Sequence, residues 1–174
     1  MKSVMLTIRL KWFYLTYKGI KTVEVRKSYP KNFNGDVFEV VSKTNFEKDL
    51  MEIPENEREF FRQFKGKVGL KFTLNKVEKF EWESCGRDND GYWKDNGDRF
   101  VLKPTCLTYD ELFAYIKSGI GYAWYISNLV IFDKPKELSE FKVRRNDCPF
   151  PCSICNVTYC QLKKAPQSWC YVEE

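Results

Sequence analysis

Polar and apolar positions near the start of the chain predict a strand, a short helix and a second strand. Apolar and polar side chains alternate over residues 4–11, which is the period-two pattern of a half-buried strand. Residues 11–18 place apolar side chains three and four positions apart, as one face of a helix requires, and Gly19 is suited to end that helix. Alternation returns over residues 21–28, so the chain enters a strand again directly after the helix.

Strands dominate the rest of the chain, and helices are few. Further strands are predicted over residues 36–43, 66–82, 122–132 and 168–173, and helices over residues 54–64 and 108–117. Thr108 and Glu111 have the spacing of a capping box at the start of the second helix. Residues 84–99, rich in Gly, Asp and Asn, predict a loop. Because strands and helices do not alternate, the pattern favours an α+β fold built on a small mixed β-barrel over a doubly wound sheet.

Length and composition narrow the class of protein. The chain has 174 residues, 43% of them hydrophobic and 17% aromatic, which suits one globular domain or one domain with a small appendage. It contains no histidine, which removes Ser–His and Cys–His dyads and imidazole zinc ligands, so catalysis would need Lys, Glu, Asp, Tyr, Ser, Thr or Cys. No span has the pattern of a signal peptide or a membrane helix, so a cytoplasmic protein without membrane contact is expected.

Positive charge is concentrated near the N-terminus. Residues 1–31 carry eight basic side chains and one acidic side chain, a local net charge of +7, although the net charge of the whole chain is +5. The rest of the chain is therefore slightly acidic. A basic region beside acidic segments favours an anionic ligand, although the same lysines could simply solvate the first strand and helix.

The basic region contains one compact motif, Gly19-x-Lys21-x-x-Glu24-x-Arg26. On a strand, it places a carboxylate and a guanidinium on one face, with a lysine at the entry. Lys11 and Trp12 on the preceding helix are predicted to line the same cleft. Such a group can hold a phosphate with its cations, stack a base on Trp12 and accept a base amino hydrogen with Glu24. The alternative is an exposed strand on which Glu24 and Arg26 form a weak surface pair.

With this motif, residues 6–26 resemble the ASCH domain family, whose signature is GxKxxExR and whose members have a PUA-like β-barrel fold. Later stretches are similar to those of phage- and Firmicutes-associated relatives, at residues 105–112, 121–129, 133–141 and 166–173. The resemblance implies a PUA-like ASCH barrel over residues 1–145, completed by a last strand over residues 166–174.

The resemblance also implies a cleft beside the signature strand that binds RNA or a nucleotide-like ligand. Trp124 is either part of the barrel core or a stacking platform for a base. Together with the motif, these considerations give a set of candidate ligand-binding residues: Lys11, Trp12, Gly19, Lys21, Glu24, Arg26 and Trp124.

An amidohydrolase acting on an acylated nucleobase is the alternative function. Some small bacterial members similar to this chain at the signature deacetylate N4-acetylcytidine with a lysine, a threonine and a glutamate. Lys21 matches the lysine, but Glu24 stands where those enzymes have the threonine, and Thr22 shares only its strand face. If the chain is an enzyme, its candidate catalytic residues are Lys21, Glu24 and Thr22. A second alternative is a protein-interaction module of phage origin, which would show neither ligand binding nor turnover.

Four of the seven cysteines fall within residues 146–165, which are predicted to be a Cys-rich loop inserted before the last strand. Their spacing is Cys148-x3-Cys152-x2-Cys155-x4-Cys160. Four thiolates can complete a tetrahedral zinc site, which would stabilise a loop too short to fold alone. Because the spacing lacks paired CxxC knuckles, a set of free thiols is the alternative. Structural zinc is the one cofactor that the sequence predicts.

Overall fold

The computed structural model describes residues 2–84, 91–95, 97–117, 119–144 and 159–174. The α-helices are α1 (Leu10–Tyr17), α2 (Phe46–Met51), α3 (Glu55–Arg62) and α4 (Tyr109–Ile116). The strands are β1 (Ser3–Ile8), β2 (Val23–Arg26), β3 (Gly35–Val41), β4 (Val68–Ser84), β5 (Gly91–Asp95), β6 (Asp98–Arg99), β7 (Ile120–Lys136), β8 (Lys142–Arg144), β9 (Tyr159–Gln161) and β10 (Trp169–Val172). Among the described helices, none has the length and apolar composition needed to span a membrane.

One mixed sheet holds most of the described strands. From one end to the other its order is β2, β7, β4, β3, β1 and β10, and β5 and β6 continue from the far half of β4. β1 and β3 run parallel, whereas the other described pairs are antiparallel. Two strands of 17 residues each, β4 and β7, run side by side through the middle of this sheet. Strand dominance with separate short helices confirms the predicted α+β class.

The sheet curls until its two ends approach each other. Nη2 of Arg26, on β2, donates a hydrogen bond to the carbonyl of Thr7, on β1, at 2.8 Å. Nε1 of Trp169, on β10, donates to Oγ of Ser28, just after β2, at 3.0 Å. Among the described strands, no backbone pairing joins β2 to β10. Side chains therefore span this seam, and the described pairing does not form a closed barrel.

The described residues form three apolar clusters. The main cluster lies inside the curl, where buried side chains of β1, β3, β4 and β7 meet aromatic rings from α1 and α3. Phe13 of α1 packs on Phe61 of α3 and on Phe64, just after α3, with ring centroids 6.5 and 5.1 Å apart. The second cluster includes the opposite faces of β1 and β3, and the third lies between β2, β7 and α4. β1 and β3 are thus buried on both faces.

Part of the segment predicted as a loop over residues 84–99 is strand. β5 pairs with β4, and β6 turns back along β5. The loop prediction is wrong here because Trp93, in a run of polar residues, is 3% exposed and packs on Phe80 and Trp82. The sequence pattern also does not predict α2 or the β8–β9 pair, since tertiary contacts rather than local periodicity decide such short elements.

The end of the predicted Cys-rich segment packs on the body of the fold. β9 pairs with β8, and Leu162 is buried in the second apolar cluster. Cys160 is a half-buried residue of β9. Cys148, Cys152 and Cys155 lie outside the described residues, so zinc binding by the four cysteines stays a prediction.

Gly69 in β4 lies where two rings of the main cluster approach the backbone. A Cβ atom at this position would lie 2.4 Å from Cζ of Phe13 and 2.6 Å from Cδ1 of Phe64. Both rings are fully buried, so neither can move away without disturbing the cluster. We expect Gly69→Ala to lower the free energy of unfolding by about 1–3 kcal/mol, the usual cost of overpacking a core, as measured by urea denaturation.

Gly35→Ala, on the neighbouring strand, is the matched control. Its Cβ atom would lie 3.2 Å from one ring atom of Phe33, which is only half-buried and has room to shift. We expect the free energy of unfolding to change by no more than about 0.5 kcal/mol. Equal losses in the two variants would show that the buried rings do not constrain β4.

Candidate functional site

The turn after α1 fixes the entry of the signature strand. Gly19 has a φ of +69°, a left-handed conformation that glycine adopts without strain. Its N–H donates to the carbonyl of Thr16 at 2.9 Å, and the N–H groups of Ile20 and Lys21 both donate to the carbonyl of Leu15. The turn therefore holds Lys21 against the end of α1, two residues before β2 begins.

Lys21, Glu24 and Arg26 form one buried ion cluster. Nζ of Lys21 donates to the carbonyl of Val23 at 2.8 Å and to Oε2 of Glu24. Nε of Arg26 lies 2.8 Å from Oε1 of Glu24, an ion pair in which the N–H is not aligned as a hydrogen bond. The exposed fractions of the three side chains are 3%, 7% and 10%. The cluster is a carboxylate held between two cations inside the fold, and the surface-pair alternative does not describe it.

Burial of β2 on both faces explains why these charges are withdrawn from water. Val23 and Val25 point into the third apolar cluster beneath α4. Glu24 and Arg26 point the opposite way, into the curl, where Glu24 is opposite Trp124 of β7. An isolated charge is costly in such surroundings, whereas a charge with a counter-ion is tolerated. The three charged groups are therefore mutually dependent.

A cleft of about 540 Å³ opens onto the ion cluster. Its walls are the end of β1, the start of α1, the strand β2 and one side of α4. Lys21, Glu24 and Arg26 are all part of the lining, and their low exposure places them at its inner end. The cleft thus connects solvent with the charged groups of the signature.

Lys11 and Trp12 of α1 lie at the cleft together with Glu111 of α4. Nζ of Lys11 is 2.9 Å from Oε1 of Glu111 and 4.1 Å from the centroid of the Trp12 ring. Glu111 also accepts a hydrogen bond from the N–H of Thr108, which completes the predicted capping box at the start of α4. One carboxylate therefore fixes the start of α4 and joins this helix to α1.

Arg9 is a further cation in the lining, and the protein supplies its counter-ion. Nε of Arg9 donates to Oδ2 of Asp49 at 3.1 Å, and Nη2 donates to Oδ1 of the same carboxylate. Asp49, on α2, is fully buried. This two-point contact compensates the charge of Arg9 and anchors α2 beside the cleft.

Glu39 of β3 is a second buried carboxyl group near the ion cluster. It is fully buried, and neither of its carboxyl oxygens has a hydrogen-bond partner among the described residues. Val37 and Val41, two positions away on either side, point into the main apolar cluster, so Glu39 points there as well. Its neighbours in the sheet are the uncharged residues Leu6 and Leu70. Glu39 is therefore an acid in an apolar wall of the curl.

The two buried carboxyl groups have pKa values that shift in opposite directions. Burial on its own would raise the pKa of Glu24, but the charges of Lys21 and Arg26, which both lie against its carboxylate, together with the hydrogen bond from Lys21, outweigh it and hold the pKa below its usual value. Burial, and then the charge of Glu24, raise the pKa of Glu39 to about 8, although Lys21 and Arg26 oppose the change. At neutral pH Glu24 is ionised and Glu39 is mostly neutral. The four side chains then carry one net positive charge.

The structure brings most of the predicted ligand-binding residues together at the cleft. Lys11, Trp12, Lys21, Glu24 and Arg26 all belong to its lining. These residues come from one helix, one turn and one strand that follow each other in the chain. Their role in binding stays a prediction, because the geometry places them at a cleft without identifying what the cleft holds.

Three predicted site residues lie elsewhere. Gly19 shapes the turn and is outside the lining. Thr22 is exposed, just before β2 begins, and does not line the cleft, so its hydroxyl is not in place to act there. Trp124 is fully buried behind Glu24 and packs on Trp169 with ring centroids 6.2 Å apart, so it supports the interior instead of offering a stacking surface.

Sequence reasoning missed Glu39, Arg9 and Glu111. For Glu39 a signal exists: apolar side chains occupy both faces of the strand that contains it, so an acid there must be buried. Glu111 is predicted as a capping residue, but its second contact depends on how α4 meets α1. Arg9 gives no local signal, because its partner Asp49 is 40 residues away in a helix that the pattern does not predict.

Comparison with known proteins does not identify a family for this chain. No protein-family model matches it, and no curated protein matches it. Among solved structures, it is similar to a Tyr-to-Phe mutant of the ZmASCH protein from Zymomonas mobilis, with a TM-score of 0.49 and 13% sequence identity over 95% of this chain and 93% of that one. Membership of the ASCH family, which the signature implies, stays a prediction.

Glu39 gives the free energy of unfolding a pH dependence of definite sign. Its folded-state pKa of about 8 is above the usual value of 4.5, so between these values the folded chain holds a proton that the unfolded chain has lost. The stability associated with this proton is complete below pH 4.5 and is lost as the pH rises through about 8. We expect Glu39→Gln to remove this decline. At high pH the free energy of unfolding of the variant should exceed that of the wild type by up to about 5 kcal/mol. Urea denaturation between pH 5 and pH 9 measures the difference.

Glu47→Gln is the matched control. Glu47 is exposed on α2 and pairs with Lys65 and Arg62. The hydrogen bond from Lys65 is the main cause that lowers the pKa of Glu47, so this group stays ionised across the range and its removal should not change the shape of the pH profile. A Glu39→Gln profile parallel to that of the wild type would show that Glu39 is ionised in the folded protein.

Proposed function

We propose that the protein binds RNA or a nucleotide-like ligand in the cleft between α1, β2 and α4. The observation that carries the proposal is the buried cluster of Lys21, Glu24 and Arg26 at the inner end of a cleft of about 540 Å³. A volume of this size accommodates a ligand as large as a nucleotide. Two fixed cations at the end of such a cleft can orient the anionic part of the ligand.

The mouth of the cleft supplies the second element of nucleotide recognition. Trp12 is partly exposed in the lining, and the ring can stack on a base, as aromatic side chains do for unpaired bases in RNA. Lys11 lies over the same ring and adds a cation beside it. A base at Trp12 and an anionic group at the ion cluster would place one ligand along the whole cleft.

Charge and sequence resemblance support the same ligand class. Residues 1–31, with their local net charge of +7, form β1, α1 and β2, and these elements build one side of the cleft. A basic surface of this kind attracts polyanions over a distance of several ångströms. The GxKxxExR signature resembles that of the ASCH family, and the curled sheet supports the PUA-like barrel that this resemblance implies.

Binding fits the geometry better than hydrolysis. The nucleophilic threonine of the resembling enzymes is replaced by Glu24, and Thr22, the candidate catalytic residue with a hydroxyl group, is exposed outside the cleft. Lys21 and Glu24, the other catalytic candidates, contact each other and are held in place by their pairing. This pairing makes the two residues a charged wall of the cleft, which supports binding over hydrolysis.

We expect the double variant Lys21→Ala/Arg26→Ala to bind a nucleoside 5′-monophosphate and a short single-stranded RNA at least about tenfold more weakly than the wild type, because charge-assisted contacts are lost. Isothermal titration calorimetry measures the first affinity, and fluorescence anisotropy with labelled RNA measures the second.

Arg62→Ala/Lys65→Ala is the matched control, because it removes the same two residue types from exposed positions where both pair with Glu47. A triple variant with Lys21→Met, Glu24→Leu and Arg26→Met removes the cluster without leaving a buried charge unpaired, so it tests binding even if the double variant fails to fold. Unchanged binding in the folded triple variant would overturn the proposal. Release of cytidine from N4-acetylcytidine that depends on Lys21 would favour the hydrolase instead.

A further inference from the structure

The ion cluster at the inner end of the cleft contains one more cation than anion. Lys21 and Arg26 are both buried, and Glu24 is the single carboxylate between them. Glu39 could balance the charge, but it is fully buried and its oxygens have no hydrogen-bond donor within the described ranges. A carboxylate is unfavourable in such surroundings, and the neutral acid is preferred. The excess positive charge then has no counter-charge from Glu39.

The other cations of the lining do not change this balance. Arg9 is paired with Asp49, and Lys11 is paired with Glu111, so each has its own carboxylate. The charges that act on Glu39 are those of the ion cluster itself, from the turn after α1 and from β2. From β1 and β4, the strands on either side, the residues that face Glu39 are leucines. Glu39 does not line the cleft, so its protonation acts on the cleft only through the combined charge of the ion cluster and Glu39.

We infer that Glu39, although it lies outside the lining, determines the charge specificity of the cleft. As a neutral acid, it leaves the ion cluster with one net positive charge, which selects an oxyanion, a phosphate or a carboxylate, at the inner end of the cleft. When Glu39 loses its proton, the net charge of the ion cluster and Glu39 combined becomes zero, and the affinity for the oxyanion falls. This inference rests on the proposed function, since it names the charge class that the cleft accepts and adds a pH dependence to binding.

The ion cluster retains hydrogen-bond donors for an oxyanion. Lys21 directs two of its three N–H groups to the carbonyl of Val23 and to Glu24. Arg26 directs Nη2 to the carbonyl of Thr7 and places Nε beside Glu24, while its Nη1 group donates no hydrogen bond to the described part of the chain. Both oxygens of Glu24, in contrast, already lie next to a cation. The groups still available to a ligand are donors with positive charge, which suit an oxyanion.

Oxyanion binding and protonation of Glu39 are coupled. If the cleft binds an oxyanion only when Glu39 is neutral, the apparent affinity is proportional to the fraction of the protein in which Glu39 is neutral. For a group with a pKa of about 8, that fraction falls from about nine tenths at pH 7 to about one tenth at pH 9. By the same linkage, an oxyanion that binds near pH 8 draws a proton onto Glu39 from the solvent.

Sulfate is a suitable probe, because it stays a dianion from pH 6.5 to pH 9.5. We expect the sulfate affinity of the wild type, measured by isothermal titration calorimetry, to fall about tenfold from pH 7 to pH 9. Glu39→Gln, which keeps the neutral form at every pH, should bind sulfate with little change over the same range. At pH 8, titrations in buffers of different ionisation enthalpy should show about half a proton taken up per sulfate by the wild type and none by the variant.

Two further arms identify the source of the oxyanion. A nucleoside 5′-monophosphate is compared with the nucleoside itself, and a short RNA with a 5′-phosphate is compared with the same RNA without it. A phosphate ligand is supported if the phosphate group raises the affinity and this increase is smaller at pH 9 than at pH 7 in the wild type but not in Glu39→Gln. A carboxylate ligand is supported if the affinity for acetate shows this pH dependence and the affinities for the phosphate ligands do not.

The outcomes separate this inference from the proposed function. Identical pH profiles for sulfate binding by the wild type and Glu39→Gln overturn the inference and leave the proposed function intact. Absence of both sulfate and nucleotide binding contradicts the proposed function itself. Glu39→Leu repeats the test if the Gln variant does not fold, and Glu47→Gln, with an exposed carboxylate removed, should follow the wild type.

Discussion

The pairing of one carboxylate with two cations, away from water, connects the elements of the N-terminal part of this fold. Glu24 holds Lys21, which the turn after α1 positions, and it holds Arg26, which reaches across the seam of the sheet to the carbonyl of Thr7. Removing one member leaves buried charge without a partner, which costs far more than losing a surface pair. The residues that give the cleft its charge are therefore also the residues that hold β2 next to β1.

Glu39 extends this electrostatic arrangement into the apolar interior. β3 is buried on both faces, so the side chain cannot reach water by turning to the other side of the sheet. Two carboxyl groups near the same pair of cations then differ in charge, because one contacts the cations and the other is only within range of their field. Such a pair offers an ionised group and a neutral acid at the same pH, an arrangement that many binding and catalytic sites use.

Much of the local structure follows from the sequence, because alternation and capping are local properties. Local patterns predict β1, α1, β2 and the capping box of α4. The signature residues cluster because they are close in the chain. The burial of β2 on both faces could not be predicted from the sequence, since it depends on α4 packing over Val23 and Val25. The strand at Trp93 and the Arg9–Asp49 pair likewise depend on contacts between distant segments. Glu39 is an intermediate case: its burial could be read from the apolar strand around it, but its position relative to Glu24 could not.

The charge state of Glu39 can be observed directly by NMR spectroscopy of the side-chain carboxyl carbons in protein labelled with ¹³C-glutamate. We expect one resonance, missing from Glu39→Gln, to titrate near pH 8, as a carboxyl group with a pKa of about 8 must. The resonance of Glu24 should remain at the position of an ionised carboxylate down to below pH 4.5, since Lys21 and Arg26 lower its pKa. A Glu39 resonance that titrates near the usual value of 4.5 would contradict a neutral acid behind the ion cluster, and with it the net positive charge of the cleft.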